Sequence, residues 1–250
     1  MKNATITMFL VLLFLSFSCS NKKISEEQKP TIVKSKIVDK EVFYIKNYTE
    51  HGYILKSDIG KEINRLDKSK YFKLNFGTKV SVIDITFNDE KEYVLAECEG
   101  IEKIWINRDS LSRGFVVINT NDSKTNFLPN SNSETSLKLQ AGDLGYIFSN
   151  YNGYTNADFK FYVTDENNKK SYAGNRWVSN TSYISNIDAA KQALYLYYAQ
   201  INYERNNFKE TNNFLDIAEK ITNSYPFLNE KLHNLRAKIT ISPSTGDIIE

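Results

Sequence analysis

The amino-acid sequence predicts an α+β fold, in which a β-rich middle precedes a helical last quarter. Between residues 42 and 179, short β-branched and aromatic runs alternate with polar turns, which is the pattern of strands. From Ile187 onwards, apolar residues recur every three or four positions, the period of one helix face. Of the 250 residues 41% are hydrophobic and 13% are aromatic, and the formal net charge is +2. This composition is typical of a globular protein, and it excludes collagen, coiled coils and multi-pass membrane proteins. The near-neutral net charge gives no sign of the excess positive charge that binds nucleic acid.

The first 19 residues have the features of an export signal. The apolar run Ile6–Phe17 is 12 residues long, whereas a membrane-spanning helix needs roughly 20 apolar residues. Small Ser18 directly precedes Cys19, and this end of the segment resembles the lipobox of bacterial lipoproteins. The resemblance implies that residues 1–18 are a lipoprotein signal peptide and that Cys19 carries the acyl chains. An ordinary signal peptide with a chance cysteine is the alternative.

The residues after the signal are predicted to tether a folded part to a membrane. Residues 19–40 are polar with few large apolar groups, so they cannot bury the surface that folding requires. With two or three acyl chains on Cys19, release from the bilayer would be rare, since each buried CH₂ contributes about 0.8 kcal/mol. We therefore expect the protein in the bacterial cell envelope, anchored to a membrane on its periplasmic or outer-surface face. Cys98 is the only other cysteine, and its strand-like surroundings predict a small buried hydrophobe.

The β-rich middle contains a weak internal repeat. Trp105 and Trp177 are the chain's only two tryptophans, and each is followed first by an apolar residue and then by polar residues. An apolar residue also precedes a glycine turn in each half, before Gly77 and before Gly142. These shared landmarks predict two β modules of similar architecture.

The two halves, residues 41–112 and 113–180, resemble bacterial SH3-like (SH3b) domains. In that family a long loop, an apolar residue shortly before a glycine, and a Trp-Val-type closing strand belong to a small five-stranded barrel. In the second half, Asn119–Phe127 matches the long loop, Leu128-Pro129 the strand after it, and Trp177 the closing strand. The resemblance implies two small SH3-like β-barrels in tandem.

The same resemblance implies where a ligand binds. In SH3-like folds the groove for an extended peptide lies between the long loops and is lined by aromatic rings. A long loop is predicted over Asn150–Asp158, and it holds Tyr151 and Tyr154. These two tyrosines and Trp177 are therefore the candidate groove residues. The alternative is that Trp177 packs inside its module and that the tyrosines only cover a small core.

The last quarter is predicted to form a helical hairpin plus a third helix over residues 183–240, before a tail at 241–250. Ser185 is expected to cap the first helix and Asn207 the second, each with an acidic residue three positions later. Pro226 suits the first turn of the third helix. This unit resembles one tetratricopeptide-type repeat. Because one repeat cannot bury its own faces, we expect it to pack on the second β module or on a partner.

No pattern of catalytic or metal-binding residues stands out. The two histidines, His51 and His233, lack the spacing that a Cys-His peptidase with Cys98 or a zinc site requires. We predict a non-enzymatic protein without cofactor or metal that binds or scaffolds through its modules, with peptidoglycan peptides or envelope proteins as the partners that the SH3b resemblance implies. The alternatives are an outer-surface, adhesin-like interaction protein and an envelope hydrolase with a cryptic carboxylate pair.

Overall fold

The computed structural model describes residues 40–61, 70–164, 170–221 and 225–241. These residues form two seven-stranded sheets followed by three helices, so the predicted α+β class is confirmed. The predicted signal peptide, Cys19 and the tether up to residue 39 lie outside the described residues, as does the tail from residue 242.

Along the chain, the strands of the first sheet come first, those of the second sheet follow, and the three helices come last. The first sheet contains β1 (Val42–Ile45), β2 (Thr49–Tyr53), β3 (Tyr71–Asn75), β4 (Lys79–Asn88), β5 (Lys91–Cys98), β6 (Ile101–Asn107) and β7 (Leu111–Ser112). The second contains β8 (Phe115–Ile118), β9 (Ser123–Asn126), β10 (Glu134–Leu139), β11 (Leu144–Tyr151), β12 (Tyr154–Thr164), β13 (Lys170–Ser179) and β14 (Tyr183–Ile184). The helices are α1 (Ile187–Glu204), α2 (Phe208–Glu219) and α3 (Pro226–Ile241). In the part of the chain described above, no helix combines the length and the apolar character needed to cross a bilayer.

Both sheets have the same strand order. The order is β3-β2-β6-β5-β4-β1-β7 in the first sheet and β10-β9-β13-β12-β11-β8-β14 in the second, so each strand of the second takes the place of the strand seven earlier. Equivalent backbone hydrogen bonds hold the two glycine turns. The Gly77 N–H donates to the Ile45 carbonyl, and the Gly142 N–H donates to the Ile118 carbonyl, both at 2.8 Å. The internal repeat predicted from the sequence is therefore present in the topology.

The two tryptophans occupy equivalent places, but neither lies in the last strand of its sheet. Trp105 in β6 pairs with Tyr53 of β2, and Trp177 in β13 pairs with Asn126 of β9. A short strand follows each of them and pairs with the first strand of the sheet. The assignment of Trp177 to the closing strand was wrong, because the final two-residue strands are too short to give a sequence pattern.

Two segments predicted as loops contain strands. Asn119–Phe127 includes β9, whose polar sequence has no strand pattern and is ordered by pairing with β10 and β13. Leu128-Pro129, predicted as a strand, lies outside every strand of the sheet. Asn150–Asp158, predicted as a long loop, is a hairpin in which Asn152-Gly153 joins β11 to β12. Their φ angles of 48° and 77° are those of a two-residue type I′ turn, which matches the twist of paired strands.

One hydrophobic core joins the helices to both sheets. The Phe115 ring centroid lies 4.8 Å from that of Phe76, which directly follows β3 of the first sheet, and 6.0 Å from that of Tyr146 in the second sheet. The helical unit packs on the second module, as expected, but it also contacts the first, which was not foreseen. Members of this core include Phe76, Phe115, Val117, Leu144, Tyr146, Ala190, Leu194, Leu215, Leu228 and Leu232.

The helix caps agree in part with the sequence. Asn186, not Ser185, caps α1, because its side-chain oxygen accepts hydrogen bonds from the N–H groups of Asp188 (2.9 Å) and Ala189 (3.0 Å). Asn207 caps α2 as predicted. Serine and asparagine are about equally good N-caps, so the choice between two adjacent candidates depends on where packing begins the helix.

Candidate functional site

The three candidate groove residues lie on one face of the second sheet. Tyr151 pairs directly with Tyr154 across the β11–β12 hairpin, and Asn156, two residues further along β12, pairs with Trp177. Opposed residues, and residues two apart in a strand, point to the same side of a sheet. Tyr151 is 59% exposed, and Tyr154 and Trp177 are half-buried. The structure therefore brings the three rings together, and we call this surface, formed by Tyr151, Tyr154 and Trp177, the aromatic face.

A small cleft of about 220 Å³ opens beside the aromatic face. Its lining includes Tyr154, Asn126, and the ion pair of Lys124 with Glu134 at 2.9 Å. Asn126 is only 4% exposed, and its side-chain oxygen has no hydrogen-bond partner among the described residues. A buried acceptor without a partner costs about 1–3 kcal/mol, so a ligand N–H that reached this oxygen would gain affinity.

The equivalent face of the first module is covered. Trp105 is 6% exposed and packs in a cluster with Tyr53, Tyr93 and Ile59, in which the two tyrosine ring centroids are 6.0 Å apart. The Lys56 ammonium lies 5.2 Å from the centroid of the Trp105 ring, at cation–π distance. Both Lys56 and Ile59 belong to the segment that follows β2, so this segment closes the face. The burial considered as the alternative for Trp177 is thus found at Trp105.

A larger cleft lies between the first sheet and helices α1 and α2, and nothing in the sequence indicates it. Its volume is about 560 Å³, and Tyr48, Asn75 and Tyr195 are among its lining residues. Its only charged lining residues within the described ranges are Lys73 and Lys191, so the cleft is cationic. These side chains come from β3 and α1, far apart in the chain, and only the docking of the helices brings them together.

None of the reactive residues identified in the sequence, Cys98, His51 and His233, lines either of these clefts. Cys98 is 8% exposed, and burial raises the pKa of its thiol to about 11, so it is the small buried hydrophobe that was predicted. His51 lies in β2, opposite Lys73, and His233 is exposed on α3. Among the residues that the structure describes, no three His, Cys, Asp or Glu side chains are grouped as metal ligands.

Comparison with known proteins adds no family to this geometry. No protein-family model matches the chain, and a search of curated proteins finds no match to its sequence. Any assignment of function therefore depends on the chain's own residues.

Proposed function

We propose that this chain is a membrane-tethered, non-enzymatic binding protein of the bacterial cell envelope. Two SH3-like barrels stand side by side, and the second takes an extended peptide on its aromatic face. The observation that carries this proposal is the aromatic face, whose three rings lie together on one side of the second sheet beside the unpartnered Asn126 side-chain oxygen. A peptide backbone supplies the N–H donor that this oxygen lacks.

The order of the strands supports the SH3-like assignment. Five consecutive strands of the first sheet, β6-β5-β4-β1-β7, correspond to the five strands of the barrel, and β2 and β3 form a hairpin inside the long first connection. The second sheet repeats this arrangement. A single 3-10 turn, Arg108–Ser110, separates β6 from the short final strand β7. Curling such a sheet into a barrel protects edges that would otherwise pair with other chains.

The composition of the aromatic face suits a peptide of modest affinity. Tyrosine and tryptophan rings offer a large contact area with few rotatable bonds, and the charges of Lys124 and Glu134 already neutralise each other at the rim. One neutral hydrogen bond contributes only about 1 kcal/mol, so affinity must come from several contacts or from high local concentration. A flexible chain of 22 residues, the length of residues 19–40, has an r.m.s. span of roughly 25 Å, so a lipid anchor on Cys19 would hold the modules near the membrane and supply that concentration.

The proposal is tested by retention of the purified full-length protein on insoluble peptidoglycan. We expect the wild type to be retained and the variants Tyr151→Ala and Asn126→Ala to be lost in the wash. Phe87→Ala is the matched control, because Phe87 is a 71% exposed ring near the tip of the β4–β5 hairpin, the first module's equivalent of the β11–β12 hairpin. Wild-type retention no higher than that of an unrelated protein would exclude peptidoglycan as the ligand. Equal retention of Tyr151→Ala and Phe87→Ala would exclude the aromatic face.

The alternative of an outer-surface protein that binds partners through its helical unit has less support. The rings of Tyr195 and Tyr198 on α1 lie 6.1 Å and 5.3 Å from the ring of Tyr48 in the first module. These tyrosines therefore already have a packing surface within the chain. Protease treatment of intact cells separates the two functions, because a protein that faces the periplasm is protected and an outer-surface protein is cleaved.

A further inference from the structure

The two equivalent glycine turns both lie beneath a lysine of the helical unit. Gly77 and Gly142 have φ angles of +79° and +87°. A Cβ atom built on Gly77 would lie 3.2 Å from Cε of Lys191, and one built on Gly142 would lie 3.3 Å from Nζ of Lys231. Helix α1 thus places a lysine over the first turn, and α3 places one over the second.

The second module supplies a carboxylate to this arrangement from its own chain. Asp143 follows Gly142 directly, and its Oδ2 accepts a hydrogen bond from the Gln140 N–H at 2.8 Å. Burial raises the pKa of Asp143, and the positive charge of Lys231 acts in the opposite direction. The turn therefore holds a carboxylate that accepts a backbone N–H and that feels the positive charge of a helical lysine.

The first module has the N–H and the lysine but not the carboxylate. Thr78 takes the place of Asp143, and Asn75 takes the place of Gln140. The Phe76 N–H donates to the Tyr48 carbonyl, so by the alternation of an antiparallel ladder the neighbouring Asn75 N–H points away from β2. Within the described part of the chain we find no acceptor for this N–H.

The first module has an open cleft at the position of the carboxylate that it lacks. Asn75, Thr78 and Lys191 all line the cationic cleft of about 560 Å³, a volume within the usual range of small-ligand sites. No Asp or Glu of the described residues lines it. A neighbouring depression that shares Tyr48 with the cleft is lined by Glu210 and Asp216, and Asp216 is bound to Arg236 at 2.7 Å.

We propose that this cleft binds a carboxylate group of a peptide, in the position that Asp143 fills in the second module. The Asn75 N–H and the Lys191 ammonium hold its oxygens, Lys73 adds a second positive charge, and Tyr48 and Tyr195 form the walls. Hydrogen bonds from N–H and ammonium groups to a carboxylate are charge-assisted and stronger than neutral ones. The inference rests on the proposed binding function only in taking a peptide as the carrier of the carboxylate.

The test is an NMR titration of the ¹⁵N-labelled full-length protein in detergent micelles. The probe is N-acetyl-trialanine with a free carboxyl terminus, compared with the same peptide as its C-terminal amide. We expect the Asn75 amide signal to shift with the acid and not with the amide. The Gln140 amide should stay in place with both, because Asp143 already occupies it.

Variants make the assignment specific. Thr78→Asp installs the second module's carboxylate in the first, and Lys191→Gln removes the helix cation; each should weaken binding by about tenfold or more. Lys103→Gln, an exposed lysine on β6 outside the cleft, is the charge-matched control and should bind as the wild type does. The remaining amide signals of each variant report whether it is folded.

Several results would overturn the inference. An unmoved Asn75 signal, equal binding of acid and amide, or unchanged binding by both folded variants would each refute the carboxylate site. Tighter binding of inorganic phosphate than of the peptide would refute the carboxylate as its ligand. The peptidoglycan retention test depends on the aromatic face, so either experiment can fail while the other succeeds.

Discussion

The contact of the Gly77 turn with α1 can be measured by the substitution Gly77→Ala. At φ +79° an L-residue costs about 1–2 kcal/mol. The new Cβ would also lie 2.6 Å from Cδ1 of Ile187, and relieving such an overlap costs about 1–3 kcal/mol. We therefore expect Gly77→Ala to lower the free energy of unfolding by about 2–5 kcal/mol, measured by urea denaturation followed by circular dichroism.

Gly100 provides the matched control for this prediction. It has φ +77°, and nothing lies within 4 Å of a Cβ built on it, so Gly100→Ala carries the backbone cost without the overlap. The difference between the two variants isolates the helix contact, at about 1–3 kcal/mol or roughly 2–4 °C in Tm for each kcal/mol. If the two variants lose the same stability, the Gly77 turn is not packed beneath α1, and the cleft described above has a different shape.

Three further outcomes follow from the sequence and the structure. Cys19→Ala should move the protein from the detergent phase to the aqueous phase on fractionation; unchanged partitioning would refute the lipid anchor. Asn186→Ala should lower the free energy of unfolding by about 1 kcal/mol and Ser185→Ala should leave it almost unchanged, since Asn186 caps α1 and Ser185 does not. A larger loss for Ser185→Ala than for Asn186→Ala would identify Ser185 as the cap. Because burial raises the Cys98 pKa to about 11, the unfolded chain loses this proton first as the pH rises past about 9. Wild-type stability should therefore fall by about 1 kcal/mol more than that of Cys98→Ala between about pH 8 and about pH 10, and parallel curves would contradict the burial.

The class of the fold was predictable because its determinants are local. The helices show a 3.6-residue period, and the apolar strands at the centre of each sheet show alternation or continuous β-branched runs. The strands that were missed have neither signal. β9 is polar and β14 has two residues, so both depend on pairing partners distant in the chain. Asn152-Gly153 carries a local signal, since Asn-Gly between apolar runs strongly indicates a hairpin, and the prediction of a long loop over Asn150–Asp158 does not take it into account.

The candidate site was predictable only in its residue types. The sequence predicts Tyr151, Tyr154 and Trp177 as rings beside a loop, whereas a hairpin and a cross-strand pair place them on one face. The cationic cleft was not predictable, because Lys73 and Lys191 meet only when the helices dock on the first sheet. Thr78 and Asp143 can be compared only because the shared strand order shows that they occupy equivalent positions.

Each module has two equivalent sites, one at the face that holds its tryptophan and one at its glycine turn. In each module the chain's own side chains fill one of these sites, and the other is open. On the outer face, Tyr53 helps to bury Trp105 in the first module, and Asn126, at the place of Tyr53, leaves Trp177 half-buried in the second. At the glycine turn the relation is reversed, since the second module fills its own site with Asp143.

This reciprocity is an argument for binding rather than for packing alone. If a stable core were the only requirement, each module would be free to fill both of its sites with its own side chains. Filling both sites would bury more apolar surface and satisfy more polar groups. Instead the second module keeps a buried Asn126 oxygen without a partner among the described residues, and the first keeps the Asn75 N–H on an exposed edge strand, open to a ligand. The helical unit holds the two modules in one core, so the two open sites keep a constant separation.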